Sequence, residues 1–121
     1  MRLTFLKCKI HRAVVTDANL GYEGSISIDP RLCEEAGLHV FERVEIYNCH
    51  NGSRIATYVI HGKPGEICLN GAAARHAQVG DPVIIAGYVE LEPGEVASHE
   101  PSLVYVDERN RPIERESAKA A

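Results

Sequence analysis

Apolar and polar positions alternate along most of this chain, and that period predicts strands far more often than helices. From Leu3 to Ile10 the row Thr4, Leu6, Cys8 and Ile10 faces one way while Lys7 and Lys9 face the other. Ala13 to Thr16 either prolongs this strand or pairs as a second short one. Asp17 to Gly24 is rich in turn formers, and Ser25 to Ile28 starts a new strand. Asp29-Pro30 predicts a helix start, with aspartate capping free backbone N–H groups and proline placed where its missing donor costs nothing; Gly37 ends the helix after Ala36.

Glu42 to Asn48 alternates again, Val44 and Ile46 against Arg43, Glu45 and Tyr47. Asn51-Gly52 turns it into a hairpin whose return strand runs from Arg54 to Ile60. On that strand Arg54, Ala56 and Tyr58 share one face and Thr57 looks the other way. A short strand at Ile67 to Leu69 follows, with Asn70 placed to cap the Ala72-Ala73-Ala74 segment. After the Gly80-Asp81-Pro82 turn, Val83 to Leu91 reads as a strand buried on both faces. Glu92 to Ser98 is a loop or single turn, and Leu103 to Val106 a last strand. From residue 108 the composition shifts to charged and small residues, which predicts a frayed tail over 108–121. Many short strands, frequent turns and little helix predict a small closed β-barrel, because closure removes exposed strand edges.

The length, 121 residues, allows one domain with one modest core, so association between copies would help it. A net charge of −4 argues against sequence-independent nucleic-acid binding and against an anionic membrane surface. The most apolar run, Val83 to Val89, is too short to span a bilayer, and the first residues lack the apolar core of a signal peptide. Cys8, Cys33, Cys49 and Cys68 are scattered without the close spacing of zinc ligands, so reduced thiols in a cytoplasmic protein are expected. His39, His50, His61, His76 and His99 form no pair at metal-binding spacing, and no metal is expected. Glu34-Glu35 reads as a solvated helix face.

The one stretch with unusual chemical potential is Gly21-Tyr22-Glu23-Gly24-Ser25. Gly-Ser before a strand is ordinarily a turn. A hydroxyl held against the carbonyl before it can do more. Ser25 Oγ could attack the Gly24 carbonyl carbon, exchange amide for ester, and after elimination and hydrolysis leave a pyruvoyl group at position 25. That shift needs strain in the scissile unit and donors aimed at the oxyanion.

Flanking blocks support the chemical reading. Lys9-Ile10-His11-Arg12-Ala13-Val14-Val15-Thr16, Ala18-Asn19-Leu20 and Tyr22-Glu23-Gly24-Ser25 are followed by Asn51-Gly52-Ser53-Arg54 with Thr57-Tyr58. Asn70-Gly71-Ala72-Ala73-Ala74-Arg75 and Gly80-Asp81-Pro82-Val83-Ile84-Ile85 complete the series. Together, over roughly residues 1–107, these blocks resemble the pyruvoyl-dependent aspartate 1-decarboxylases.

The resemblance implies a closed six-stranded double-psi β-barrel with short helices over 1–107, self-cleaved between Gly24 and Ser25 into chains 1–24 and 25–121. It also implies a homotetramer with sites between subunits, and decarboxylation of L-aspartate to β-alanine for pantothenate and coenzyme A synthesis. The cofactor would be the pyruvoyl group made from Ser25, an electrophile no ordinary side chain provides. Tyr58 would be the proton donor, since a phenol keeps its proton at neutral pH. Thr57 would steady the self-processing oxyanion, and Arg54 and Lys9 would grip the dianionic substrate. Asn70, Gly71, Ala72 and Ala73 would bind beside the pyruvoyl group, with His11 and Tyr22 around the pocket. Whether a maturation factor takes part is left open. Two rivals stand beside this reading: an unprocessed scaffold of the same architecture, and a DNA-binding regulator built on the strands.

Overall fold

In the computed structural model, which describes residues 1–114, the alternation at the start of the chain becomes β1 (Leu3–Val14), interrupted by bulges between Leu6 and Cys8 and between Ile10 and Ala13. Arg12, in the second bulge, has φ 57°, an uncommon conformation for a residue with a Cβ. The long strand pairs antiparallel with β7 (Pro82–Leu91) and parallel with β8 (Ser102–Val106). The hairpin expected around Asn51-Gly52 joins β4 (Arg43–Asn48) to β5 (Arg54–His61), and Gly52 has φ 77°. Helix α1 covers Pro30–Ala36, with Asp29 Oδ1 accepting from the Arg31 N–H at 2.8 Å and Gly37 at φ 75°.

With β2 (Asp17–Asn19), β3 (Ser25–Ile28), β6 (Ile67–Asn70) and β9 (Pro112–Ile113), the described strands run in the order β2-β6-β3-β5-β4-β7-β1-β8-β9, a mainly β, mixed arrangement of nine strands with one short α-helix and two 3-10 segments. The alternation predicts seven strands, or eight if Ala13 to Thr16 stands alone, and the pairings run from β2 at one end to β9 at the other. The additional ones include β2 (Asp17–Asn19) and β9 (Pro112–Ile113), too short to leave an alternating pattern in the sequence. The first stretch, read as turn, becomes a strand because it pairs parallel with β6 (Ile67–Asn70).

At the centre, β3 (Ser25–Ile28) lies between β5, parallel, and β6, antiparallel, and every residue of β3 and β6 is buried. Ile26, Ile28, Ile67 and Leu69 join Ile10, Leu32, Ile46, Val59 and Ile85 in one core. Placing polar Ser25, Ser27 and Asn70 on such strands obliges them to find partners inside the protein.

Two further expectations are corrected. Strand β7 is buried across Ile85 to Gly87, but Tyr88 and Glu90 project to solvent, so its second half is one-sided. The chain also does not fray at residue 108. Asn110, 1% exposed with φ 61°, accepts from the Val14 N–H at 2.7 Å and donates to the carbonyls of Val14 at 2.8 Å and Gly65 at 3.0 Å. Its amide imitates a peptide unit and ties the end of β1 to the turn before β9, so β9 can pair with β8. The remainder of the expected tail, 115–121, lies outside the described residues. Among the described residues no helix is long and apolar enough to cross a membrane.

Candidate active site

Ser25 opens β3 directly opposite Asn70 of β6, and is only 2% exposed. Its Oγ accepts a hydrogen bond from Asn70 Nδ2 at 2.9 Å and donates to the Glu23 carbonyl at 3.4 Å, so the hydroxyl is turned back across Gly24. Asn70 does not cap the segment after it; no side-chain cap bond forms there. Burial explains the difference, since the amide satisfies Ser25 and Ser27 Oγ (3.0 Å), which have no water to turn to.

Gly71 begins the 3-10 segment Gly71–His76 with φ 63°. A Cβ at that position would stand 2.8 Å from Gly24 Cα and N and 3.0 Å from the Tyr22 carbonyl oxygen. Only glycine allows the two backbones this approach. On its other side Gly24 opens into a cavity of about 190 Å³ shared with Ala56, Thr57, Ala72, Ala73 and His76. The site therefore joins a buried, hydrogen-bonded serine hydroxyl to a glycyl unit with free space beside it and a threonine on the same cavity wall. A larger hollow of about 510 Å³ between α1, β8 and β9 shares no lining residue with it.

The remaining predicted residues are elsewhere on the chain. Lys9 lies on β1 between Ala86 and Leu103. His11 packs edge-on against Tyr105 at 5.6 Å, with Nδ1 buried and without a hydrogen-bond partner among the described residues; burial and the charges of Lys9 and Arg12 lower its pKa. Tyr58 packs near Phe41 at 6.1 Å, and Tyr22 is 59% exposed, neither lining the cavity. Arg54 is exposed, its guanidinium 4.0 Å from the centroid of the Tyr47 ring.

Tyr47 is a residue sequence reasoning missed, although its register opposite Arg54 follows from the hairpin. Its hydroxyl donates to Glu45 Oε1 at 2.9 Å and lies 2.6 Å from the Tyr88 hydroxyl. Burial, then these two partners, raise its pKa well above the ordinary phenol value. His76 was also missed; its Nδ1 is 2.8 Å from Ser53 Oγ. Among the described residues no cluster of three or more His, Cys, Asp or Glu is arranged to hold a metal ion.

The wall carrying Ala72 and Ala73 is secured at its far end by Asn48. Asn48 Nδ2 donates to the His76 carbonyl at 3.0 Å and to Asp81 Oδ2 at 2.8 Å, while Oδ1 accepts from the N–H groups of His50 and Asn51. Asn48→Ala strands buried partners, so chemical denaturation is expected to show a loss of about 1–3 kcal/mol. The bonds from Asn48 and from the Gln78 N–H hold the Asp81 carboxyl below its ordinary value of 3.8 despite burial. A lowered folded pKa contributes stability above the unfolded value and loses it as pH falls through the folded one. As pH drops below about 4, the thermal midpoint of the parent should therefore fall more steeply than that of Asp81→Asn.

The fold and site define a small mainly β protein organised around the buried Ser25 beside an open glycine. The sequence model described as "Aspartate decarboxylase" matches residues 1–113, and the chain belongs to that family. Among its relatives, a protein of Bdellovibrio bacteriovorus called aspartate 1-decarboxylase is 56% identical over 115 residues, covering 95% of this chain and 93% of its own. A Hydrogenobaculum protein of the same name is 59% identical over 94% of this chain and 91% of its own. One from Campylobacter hominis is 49% identical over 94% of this chain and all of its own.

Proposed function

We propose that this chain is a pyruvoyl-dependent decarboxylase that converts L-aspartate to β-alanine and carbon dioxide in the supply of pantothenate and coenzyme A, after splitting itself between Gly24 and Ser25. Family membership over nearly the whole chain supports the reaction class. The observation that carries the processing step is the Ser25 hydroxyl, turned across Gly24 and engaged by the Asn70 amide at 2.9 Å.

Ser25 Oγ adds to the Gly24 carbonyl carbon, and Thr57, on the adjoining cavity wall, stabilises the oxyanion. The Gly24–Ser25 amide bond breaks, the Ser25 nitrogen takes a proton, and an ester replaces the amide. Removal of the Ser25 α-proton expels the Gly24 carboxylate and leaves a dehydroalanine. Water then enters as ammonia departs. The products are chains of residues 1–24 and 25–121, the latter beginning with the pyruvoyl group. The seat suits so small a group: Ala72 and Ala73 line the space beside Gly24, and Gly71 brings no Cβ toward it. When formed, the group supplies the electrophilic electron sink for decarboxylation.

Arg54 orients a substrate carboxylate through its paired N–H donors, and Lys9 adds a second positive charge. Tyr58 delivers a proton from its hydroxyl to the substrate α-carbon after carbon dioxide departs. His11 and Tyr22 border the pocket. Lys9, His11, Arg54 and Tyr58 do not line the Gly24 cavity of their own chain, which supports a reading in which the complete site lies between subunits of a homotetramer. Exposed Leu20, Tyr22, Phe41, Tyr88 and Leu103 provide apolar surface for that assembly. Within each subunit the strands around β1, β3, β4, β5, β6 and β7 close as a six-stranded double-psi barrel.

Incubation with L-aspartate, following β-alanine and carbon dioxide, tests the reaction; fully processed protein that releases neither would refute it. Tyr58→Phe should still split into two bands on denaturing electrophoresis while turnover falls by about 10²-fold or more. Parental turnover in that variant removes Tyr58 from the proton-donor role.

A further inference from the structure

Ser25 and Ser27 on β3 face Asn70 and Cys68 on β6 in direct register, Ser25 opposite Asn70 and Ser27 opposite Cys68. Directly opposed residues of an antiparallel pair project from the same face, so the four side chains form one polar patch. All four are buried. Asn70 Nδ2 supplies both serine hydroxyls, and Cys68 Sγ–H donates to Asn70 Oδ1 at 3.2 Å.

The two ends of a carboxamide have nearly the same shape, and their orientation is chosen by hydrogen bonds. Serine hydroxyls do not choose, because they pair with either end. With the amide reversed, Oδ1 would face Ser25 and accept its proton, while the NH₂ group would face sulfur, a weak acceptor. In the observed orientation the serine oxygen receives an N–H, which favours negative charge developing there, while its own proton points to the Glu23 carbonyl.

We propose that Cys68 is a positioning residue for self-processing, its thiol holding the Asn70 amide with the NH₂ end toward the Ser25 hydroxyl. This rests on the self-cleavage reading above and adds to it the group that sets the amide's direction. Burial raises the Cys68 pKa, and the charges of Asp17 and Glu66 act the same way and outweigh the backbone hydrogen bond from Asn19, so the sulfur keeps the proton it donates. A second acceptor for that thiol, the Leu69 carbonyl, stands farther away, at 3.9 Å.

The test compares Cys68→Ser, which keeps a donor, with Cys68→Val, which keeps bulk but has none. Unprocessed chain is prepared, splitting at Gly24–Ser25 is followed by denaturing mass spectrometry, and thermal midpoints are recorded alongside. Cys68→Val should split at least about tenfold more slowly than the parent, with Cys68→Ser within about threefold of it. Cys68→Ala serves with Cys68→Ser as a second pair in case valine prevents folding. A purely structural role would make the splitting rate follow the thermal midpoint, whatever the donor. Parental splitting in both donorless variants, or equal slowing in Cys68→Ser, overturns the inference and leaves the decarboxylase reading standing. A parent chain that never splits overturns both.

Discussion

Ser25→Ala is expected to leave the chain whole and without decarboxylase activity. Removing Oγ removes the only atom that can receive the acyl group of Gly24 in the proposed shift, so no ester forms and no pyruvoyl group follows. The fold should tolerate the change: Asn70 Nδ2 loses its acceptor at 2.9 Å but keeps Ser27 Oγ at 3.0 Å, and the deleted hydroxyl leaves a void no larger than one atom. Denaturing mass spectrometry should therefore show a single full-length species, with a thermal midpoint close to that of unprocessed parent. Decarboxylation should fall to the uncatalysed background, a loss of at least about 10⁶-fold. Two fragments from Ser25→Ala would mean that another group cuts the chain, and the central proposal would be lost.

Gly71→Ala is expected to have the second largest effect, through backbone geometry alone. Two costs add. The φ of 63° disfavours any side chain by about 1–2 kcal/mol. The new Cβ would also lie 2.8 Å from Gly24 Cα and N, main-chain atoms just before β3 that must shift to admit it. Together they should lower stability by about 2–4 kcal/mol and, by pushing Gly24 out of line, slow splitting by about 10²-fold or more. Gly52→Ala is the control. Its φ of 77° carries the same kind of backbone cost, but nothing lies within 4 Å of the added Cβ, so only about 1 kcal/mol should be lost and splitting should keep its rate. Thermal unfolding and fragment appearance, measured on both variants, separate strain from obstruction. Equal splitting rates would show that the close approach of Gly71 to Gly24 has no part in processing.

The effect at Gly71 illustrates why some features were legible in the sequence and others were not. Helix α1 was readable to its ends because Asp29, Pro30 and Gly37 act on their own neighbours through capping, a missing donor and a left-handed stop. The Asn51-Gly52 hairpin was readable for the same local reason. The strand at Asp17–Asn19 was not, since three residues carry no period and pair only after β6 is in place. Asn110 carried the composition of a tail, yet its amide finds Val14, which is 96 residues distant along the chain. Tyr47 was placed on the correct hairpin strand, but its stacking on Arg54 and its hydroxyl contact with Tyr88 of β7 required the neighbouring strands to be assembled.

The sequence by itself determined family membership, the largely β character and the one helix, along with the Gly24-Ser25 pair as the candidate point of chemistry. These follow from patterns over short spans and from blocks preserved in order. Tertiary structure alone decided that the Asn70 amide serves Ser25 instead of capping a helix, and that Gly71 lies against Gly24. It also decided that Lys9, His11, Arg54 and Tyr58 fall outside the cavity beside the serine. The physical reason is that a buried polar group takes whichever partner the packed strands bring to it, and that choice is made between residues far apart in the chain.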